Sequence, residues 1–514
     1  MFRAIATVGG WTMLSRILGF MRDILIAAYL GAGPMADAFF VALKLPNLFR
    51  RLFGEGAFNA AFVPAFAASL TRQGPAVARQ LAERLATLMA LWLTLLCGVG
   101  LIFMPQLLAV LAPGFPARGG GQMELAVELT RIVFPYLVFI CLTALVSGVL
   151  NAMGRFTAAA AAPVFFNILS MAALLGLAPF VATPAHALAW GVMASGAVQF
   201  GFVWWAAARA GMTLRPVLPR LSPAEKSVLR KMVPGLLGAG VTQVNLAVDV
   251  IIASLLPVGA VSLLYYADRV AQLPLGVIGI AISTALLPTL AAQLSGGKPL
   301  SAHRSMNRGL EITLVLCVPA AVALAVLAQP IMTVLFQRGA FTAADARGAA
   351  SVLMVYAAGL PAFVLVKALA PGFFARGDTR TPVIIGLACV ALNLALNLLF
   401  LLTGWLGAPG IALATVVSAW VNAVAMGGLL ARRALWVADR RLRRVVPLQL
   451  GAAAAMGAML GGAVAFIPMA TGLSGTILLA LVCVTGAFTY FALAHLTGAL
   501  DLRALRQVLR RAPA

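Results

Sequence analysis

Arg16, Arg22 and Asp23 stand inside the run TMLSRILGFMRDILIAAYLGAG, where residues 12–30 read as a membrane helix. A charge at the bilayer centre costs about 2.5–3.5 kcal/mol on insertion scales, so three in one helix face protein or water rather than lipid. At 100° per residue Arg16 and Asp23, seven apart, share a face, and Arg22 lies beside Asp23. The same spacing joins Asp37 to Lys44 in the next apolar run, and KLPNLFRRLFGEGAF continues it with Arg50, Arg51 and Glu55. Pro46, Gly54 and Gly56 predict irregular backbone there, which is tolerated at membrane depth only where it lines protein or water.

Bases outnumber acids in these first spans: Arg16, Arg22, Lys44, Arg50, Arg51 and Arg131 stand against Asp23, Asp37, Glu55 and Glu128. Arg269, preceded by Asp268, faces them from a later hairpin. For Arg51, Glu55, Arg131 and Lys367, structural ion pairing or snorkelling to the interface is an equally good account. Surplus arginine in a water-filled cavity suits an anion, phosphate above all, because guanidinium presents a planar fork to its oxygens. A second constellation joins Asp249 with Asn393 and Asn397, four apart on one helical face, and Thr415. Carboxylate and amide oxygens are hard ligands for a small cation. The competing reading is that the asparagines bond between helices.

The elements that position these residues are membrane helices. The chain has 514 residues, 62% hydrophobic and only 10% charged, far from soluble usage. Apolar runs long enough to span a bilayer recur near 5–30, 36–70, 85–111, 124–150, 158–182, 185–210, 229–256, 260–295, 309–335, 343–375, 380–404, 408–431, 445–468 and 472–498. The expectation is an all-α polytopic membrane protein of fourteen transmembrane helices. Of the 37 Lys and Arg, only Arg118, Arg338 and Arg347 fall in loops after odd-numbered helices, so the positive-inside rule makes both termini cytoplasmic.

Basic stretches at 215–231 and 432–444 divide the chain into six, six and two helices: 1–215, 216–440 and 441–514. A gapless match of GAGPMADAFFVALKLP with GAVSLLYYADRVAQLP sets Gly31 on Gly259 and Pro46 on Pro274, and NAMGRFT is echoed by FARGDTR. These matches, at equivalent places in two blocks, predict parallel repeats: two six-helix lobes around a central cavity, plus two C-terminal helices.

Other chemistries lack their residues. The net charge of +23 is dispersed between spans rather than clustered on a soluble face, so nucleic acid is not an expected partner. The five cysteines fall singly in apolar segments and the three histidines are isolated, which supports neither disulfides nor a metal site. No GxxxxGK[ST] run is present to bind ATP, and no small-residue cleavage site follows the first helix. An enzyme acting on a membrane lipid would need a carboxylate or histidine base at a membrane face, and none of the fourteen acidic residues stands out as one.

The stretches SRILGFMRD, ADAFFVALKLPNLFRRLFGEGAF, YYADRVAQLPLGVIGIAISTALLP and GDTRTPV resemble the MurJ (MviN) family of lipid II flippases, in the multidrug/oligosaccharidyl-lipid/polysaccharide exporter superfamily. The resemblance covers essentially the whole chain. It implies a transporter, not an enzyme, in the bacterial inner membrane. Its substrate would be undecaprenyl-pyrophosphate-linked disaccharide-pentapeptide, carried from the cytoplasmic to the periplasmic leaflet. The family's cavity arginines would fall on Arg16, Arg22, Arg50 and Arg269, its helix-2 aspartate on Asp37, and Asp23 and Glu55 also match. The last two helices would form a groove for the lipid tail. Some members carry a sodium site, which would fall on Asp249, Asn393 and Thr415, with Asn397 where a second carboxylate is expected. Coupling to sodium or protons, or to membrane potential alone, is left open, as are cell-wall synthases as partners. A flippase for another polyprenyl-linked glycan, or a drug antiporter of the same superfamily, would share the fold.

Overall fold

The computed structural model describes residues 2–218, 221–404, 407–466 and 471–500. Every regular element among them is helical, as hydrocarbon demands of a spanning chain that has no closed barrel. In order these are α1 (Phe2–Leu30), α2 (Pro34–Arg50), a π-helical turn (Arg51–Gly56), α3 (Ala57–Gln73), α4 (Pro75–Ile102), α5 (Met104–Leu111), α6 (Gly114–Arg118), α7 (Gln122–Val133), α8 (Tyr136–Ala152), α9 (Thr157–Leu177) and α10 (Pro184–Arg209). There follow α11 (Pro223–Leu255), α12 (Ala260–Ser295), α13 (Pro299–Val326), α14 (Ala328–Phe336), α15 (Ala343–Phe374), α16 (Arg380–Thr403), α17 (Gly407–Arg432), α18 (Arg440–Phe466) and α19 (Leu473–Leu496).

Helix boundaries follow local chemistry. Proline opens α4, α10, α11 and α13, where its missing N–H costs nothing and its fixed φ suits the first turn. Among the described residues, eleven helical stretches are long and apolar enough to cross a membrane. The passes that fall outside that set, α1, α2 with α3, and most of α11, include the two that carry Arg16 to Glu55. The total is consistent with fourteen crossings. Outward side chains such as Leu95, Val484 and Phe488 are exposed and apolar, as a surface solvated by lipid requires.

The chain divides into two compact units between Ser262 and Leu263, inside α12. In the first, α1 packs on α9, α9 on α10, α10 on α8, α2 on α7, and α11 on α3 and the π-helical turn. Phe39, Phe40, Phe62 and Phe66 are fully buried in it. The segment leading into α11 is tied to α4: the N–H of Arg215 donates to Glu83 at 3.1 Å and that of Val217 to Thr87 Oγ1 at 3.2 Å. In the second unit α15 packs on α13, α14 and α17, while α18 packs on α13 and α19. Its core gathers Leu286, Leu290, Met306, Leu310, Phe373 and Leu430. Arg441 joins α18 to α13 through Glu311 at 2.9 Å.

The glycines aligned from sequence share a backbone conformation. Gly31 and Gly259, aligned from sequence, adopt φ of 63° and 94°, and Gly154 and Gly377, in the second pair of echoes, adopt 74° and 75°. These left-handed values are those for which glycine has no side-chain penalty.

Candidate functional site

The charges of α1 split into two environments. Arg16 is exposed and forms no ion pair among the described residues. Arg22 is 9% exposed and fixed from three directions. Its Nε and Nη2 donate to Asp23 Oδ1 at 3.2 and 2.7 Å, its Nη1 donates to Asn167 Oδ1 at 3.1 Å, and its guanidinium lies 4.9 Å from the ring centre of Phe166. Asn167 also donates to the carbonyl of Ser15 at 2.9 Å. Hydrogen bonds to charged groups are worth about 1.5–3 kcal/mol each, and a desolvated cation over a ring about 2, so this guanidinium is held firmly.

On α2, Asp37 is fully buried. It accepts the N–H of Gly259 at 2.8 Å, the N–H of Ser262 at 2.9 Å and the hydroxyl of Ser262 at 2.8 Å. These donors belong to the first turn of α12 and the residue before it, where a helix has unsatisfied N–H groups and a partial positive charge. Asp37 therefore caps α12 from a distant element. Gly259 is required there: a Cβ would stand 2.8 Å from the carbonyl oxygen of Ala32.

Near the C-terminal end of α2 the Arg50 Nε donates to Asn47 Oδ1 at 3.2 Å, and Asn47 in turn donates to the carbonyl of Leu43 at 2.8 Å. Lys44 and Arg50 are half-buried and Arg51 is exposed. The irregularity foreseen from Pro46, Gly54 and Gly56 takes the form of the π-helical turn at Arg51–Gly56, directly after Arg50. Such turns cluster at functional sites. The side chain of Glu55 lies outside the described residues.

Arg269 belongs to the second unit. Its guanidinium lies 4.7 Å from the ring centre of Tyr265, one helical turn earlier on α12, and the neighbouring Asp268 accepts from Gln272. The cation constellation is likewise split between units. Asp249, on α11 in the first, is half-buried. In the second, Asn397 donates to Asn393 at 3.0 Å and Asn393 to Thr415 at 3.2 Å, which joins α16 to α17. The first of these bonds lies within α16, and the second runs between helices. Among the described residues no three His, Cys, Asp or Glu side chains come together to hold a metal ion.

Sequence reasoning did not identify Asn167, Phe166, Asn47, Tyr265 or Ser262. Asn167 carried a signal, as a lone amide in the apolar run of α9. The others are ordinary residues whose role appears only once their partners are known.

Comparison with known proteins agrees over most of the chain. The family model described as lipid II flippase MurJ matches residues 26–484. A Rhizobium tropici protein named "Probable lipid II flippase MurJ" is 42% identical over 98% of this chain and 96% of its own length. The "Lipid II flippase MurJ" of Burkholderia cenocepacia is 38% identical over 82% of each. Among solved structures, a lipid II flippase MurJ in an inward closed conformation matches with a TM-score of 0.80 at 22% identity, covering 95% of this chain and 98% of that one. An inward-facing multidrug transporter of the MATE family, in the MOP superfamily, matches at 0.67 over 84% of this chain and 98% of its own. Taken with the helices and their embedded charges, these likenesses establish that the chain is a transporter rather than an enzyme and belongs to the MurJ family of lipid II flippases.

Proposed function

We propose that this chain moves lipid II from the cytoplasmic to the periplasmic leaflet by alternating access, with both termini cytoplasmic, and that its embedded arginines bind the pyrophosphate. The observation that carries this reading is Arg22, a buried cation in an apolar helix whose guanidinium is fixed before any ligand arrives. A preset fork loses little freedom on binding an oxyanion. Arg16, exposed six residues earlier on the same helix, makes first contact. Arg50, steered by Asn47, and Arg269, laid over Tyr265, complete the set. Asp37 acts indirectly, by fixing the turn from which α12 carries Arg269. The prenyl chain stays in lipid against α18 and α19, whose spans carry exposed Leu450, Leu481 and Phe488.

Membrane potential is a sufficient driver. An anion leaving a negative cytoplasm gains about 2.3 kcal/mol per charge per 100 mV, and empty arginines returning inward also move favourably. No coupled ion or cofactor is needed, in keeping with Asn397 standing where a cation site would want a second carboxylate.

Reconstitution tests the reading. Vesicles holding the purified protein should equilibrate fluorescent lipid II between leaflets faster than empty vesicles, and Arg16→Ala and Arg269→Ala should each slow this about tenfold or more, the loss of one charged contact. No acceleration by the wild-type protein would overturn it.

A further inference from the structure

We infer that Asn167 is a positioning residue for Arg22, and that its neutrality keeps that guanidinium able to accept an anion; the inference rests on the pyrophosphate reading above and deepens it.

Ser15, Gly19 and Arg22 recur at helical spacing and form one stripe of α1, the helix that packs on α9. Asn167 of α9 is 5% exposed and spans that stripe. Its Nδ2 donates to the Ser15 carbonyl at 2.9 Å and its Oδ1 accepts from Arg22 Nη1 at 3.1 Å. The two ends of the amide are used in opposite senses, so the group has one satisfied orientation: turned over, it would set N–H against N–H at Arg22. Gly19 leaves the amide room, since even an added Cβ would lie 3.5 Å from Oδ1. Phe166, the preceding residue, covers the guanidinium face, so consecutive residues of α9 fix Arg22 by edge and by face.

Charge distinguishes asparagine from its isostere. Asp23 already balances Arg22 at 2.7 Å. A second carboxylate at 167 would accept from Nη1 equally well but leave the trio with a net charge of −1, turning a site that tolerates an oxyanion into one that repels it. The amide supplies the acceptor without that charge, and its donor end has a use that a carboxylate lacks.

The test uses the full-length purified protein in detergent, with farnesyl pyrophosphate as the charged probe and farnesol as the neutral one. Asn167→Asp should weaken the pyrophosphate probe about tenfold or more with farnesol unchanged, the size expected from one charge-assisted contact reversed. The exchange variant Asp23→Asn with Asn167→Asp restores the charge balance and should recover most of that loss. A role in packing alone would not respond to this exchange. If Asn167→Asp does not accumulate, Asn167→Ala serves, with about tenfold weaker pyrophosphate binding expected. Unchanged pyrophosphate binding in a well-folded Asn167→Asp or Asn167→Ala, or an exchange variant no better than Asn167→Asp alone, would overturn the inference. A wild-type protein that holds farnesol as tightly as farnesyl pyrophosphate would instead overturn the pyrophosphate reading, so the two failures are distinguishable.

Discussion

Asp37 and Ser262, far apart in the chain and neither of them exposed, are joined by two hydrogen bonds of 2.9 and 2.8 Å, to the backbone N–H and to the hydroxyl of the serine. The carboxylate thus caps α12 from another helix. Ser262→Ala should cost about 1 kcal/mol, one hydrogen bond, whereas Asp37→Ala leaves several buried donors unsatisfied at about 1–3 kcal/mol each. Amide hydrogen exchange in the first turn of α12 checks this: protection there should fall in Asp37→Ala well before it falls elsewhere.

Arginine and lysine should not be interchangeable along α1. Arg22 uses edge and face of its guanidinium on Asp23, Asn167 and Phe166, a geometry that an ammonium cannot reproduce. Arg16 has no such partners among the described residues. In a vesicle flipping assay Arg22→Lys should therefore lose about tenfold or more, while Arg16→Lys stays within about threefold, since a point charge serves where no fork is fixed.

Two glycines should respond oppositely to alanine. A Cβ on Gly114 would stand 1.9 Å from the backbone oxygen of Ser254, whose hydroxyl already accepts the Gly114 N–H at 3.2 Å. Overpacking against backbone costs about 1–3 kcal/mol or more. Gly98, inside α4, has open space around it, so Gly98→Ala should be neutral or stabilising by up to about 1 kcal/mol. Thermal midpoints of the two variants in one detergent decide the comparison.

The loop between α15 and α16 should be acid-sensitive. The Thr381 hydroxyl and backbone N–H, donating at 2.7 and 2.9 Å, hold the Asp378 carboxyl below the usual range, and Arg433 at 3.0 Å adds to this. A folded-state pKa below the unfolded value of about 3.9 means that the stabilisation is present above that value and lost as pH falls through the folded one. The thermal midpoint of the wild-type protein should exceed that of Asp378→Asn above about pH 4, and the gap should close on acidification below it.

The membrane helices and their charges were legible because both rest on local signals. Apolar length marks a span, and a charge inside one marks a face turned from lipid. The break after Arg50 was visible in Pro46, Gly54 and Gly56, though not that it would be a π-helical turn. What sequence withheld was pairing at a distance. Asp37 reads as a cavity charge until Gly259 and Ser262 are seen beside it, and Arg22 reads as a cavity cation beside Asp23 until Asn167 and Phe166 are seen to enclose it. The repeat groups α11 with the second block, yet its contacts with α3 and the π-helical turn set it in the first compact unit.

The proposal that this chain carries lipid II outward through embedded arginines is tested by depleting the protein in its own cell and adding an external agent that cleaves exposed lipid II head groups, with wild type, Arg22→Ala and Arg269→Ala supplied in turn. Lipid II should become inaccessible from outside on depletion, wild type should restore cleavage, and neither variant should. Unchanged cleavage on depletion, or full restoration by both variants, would contradict it.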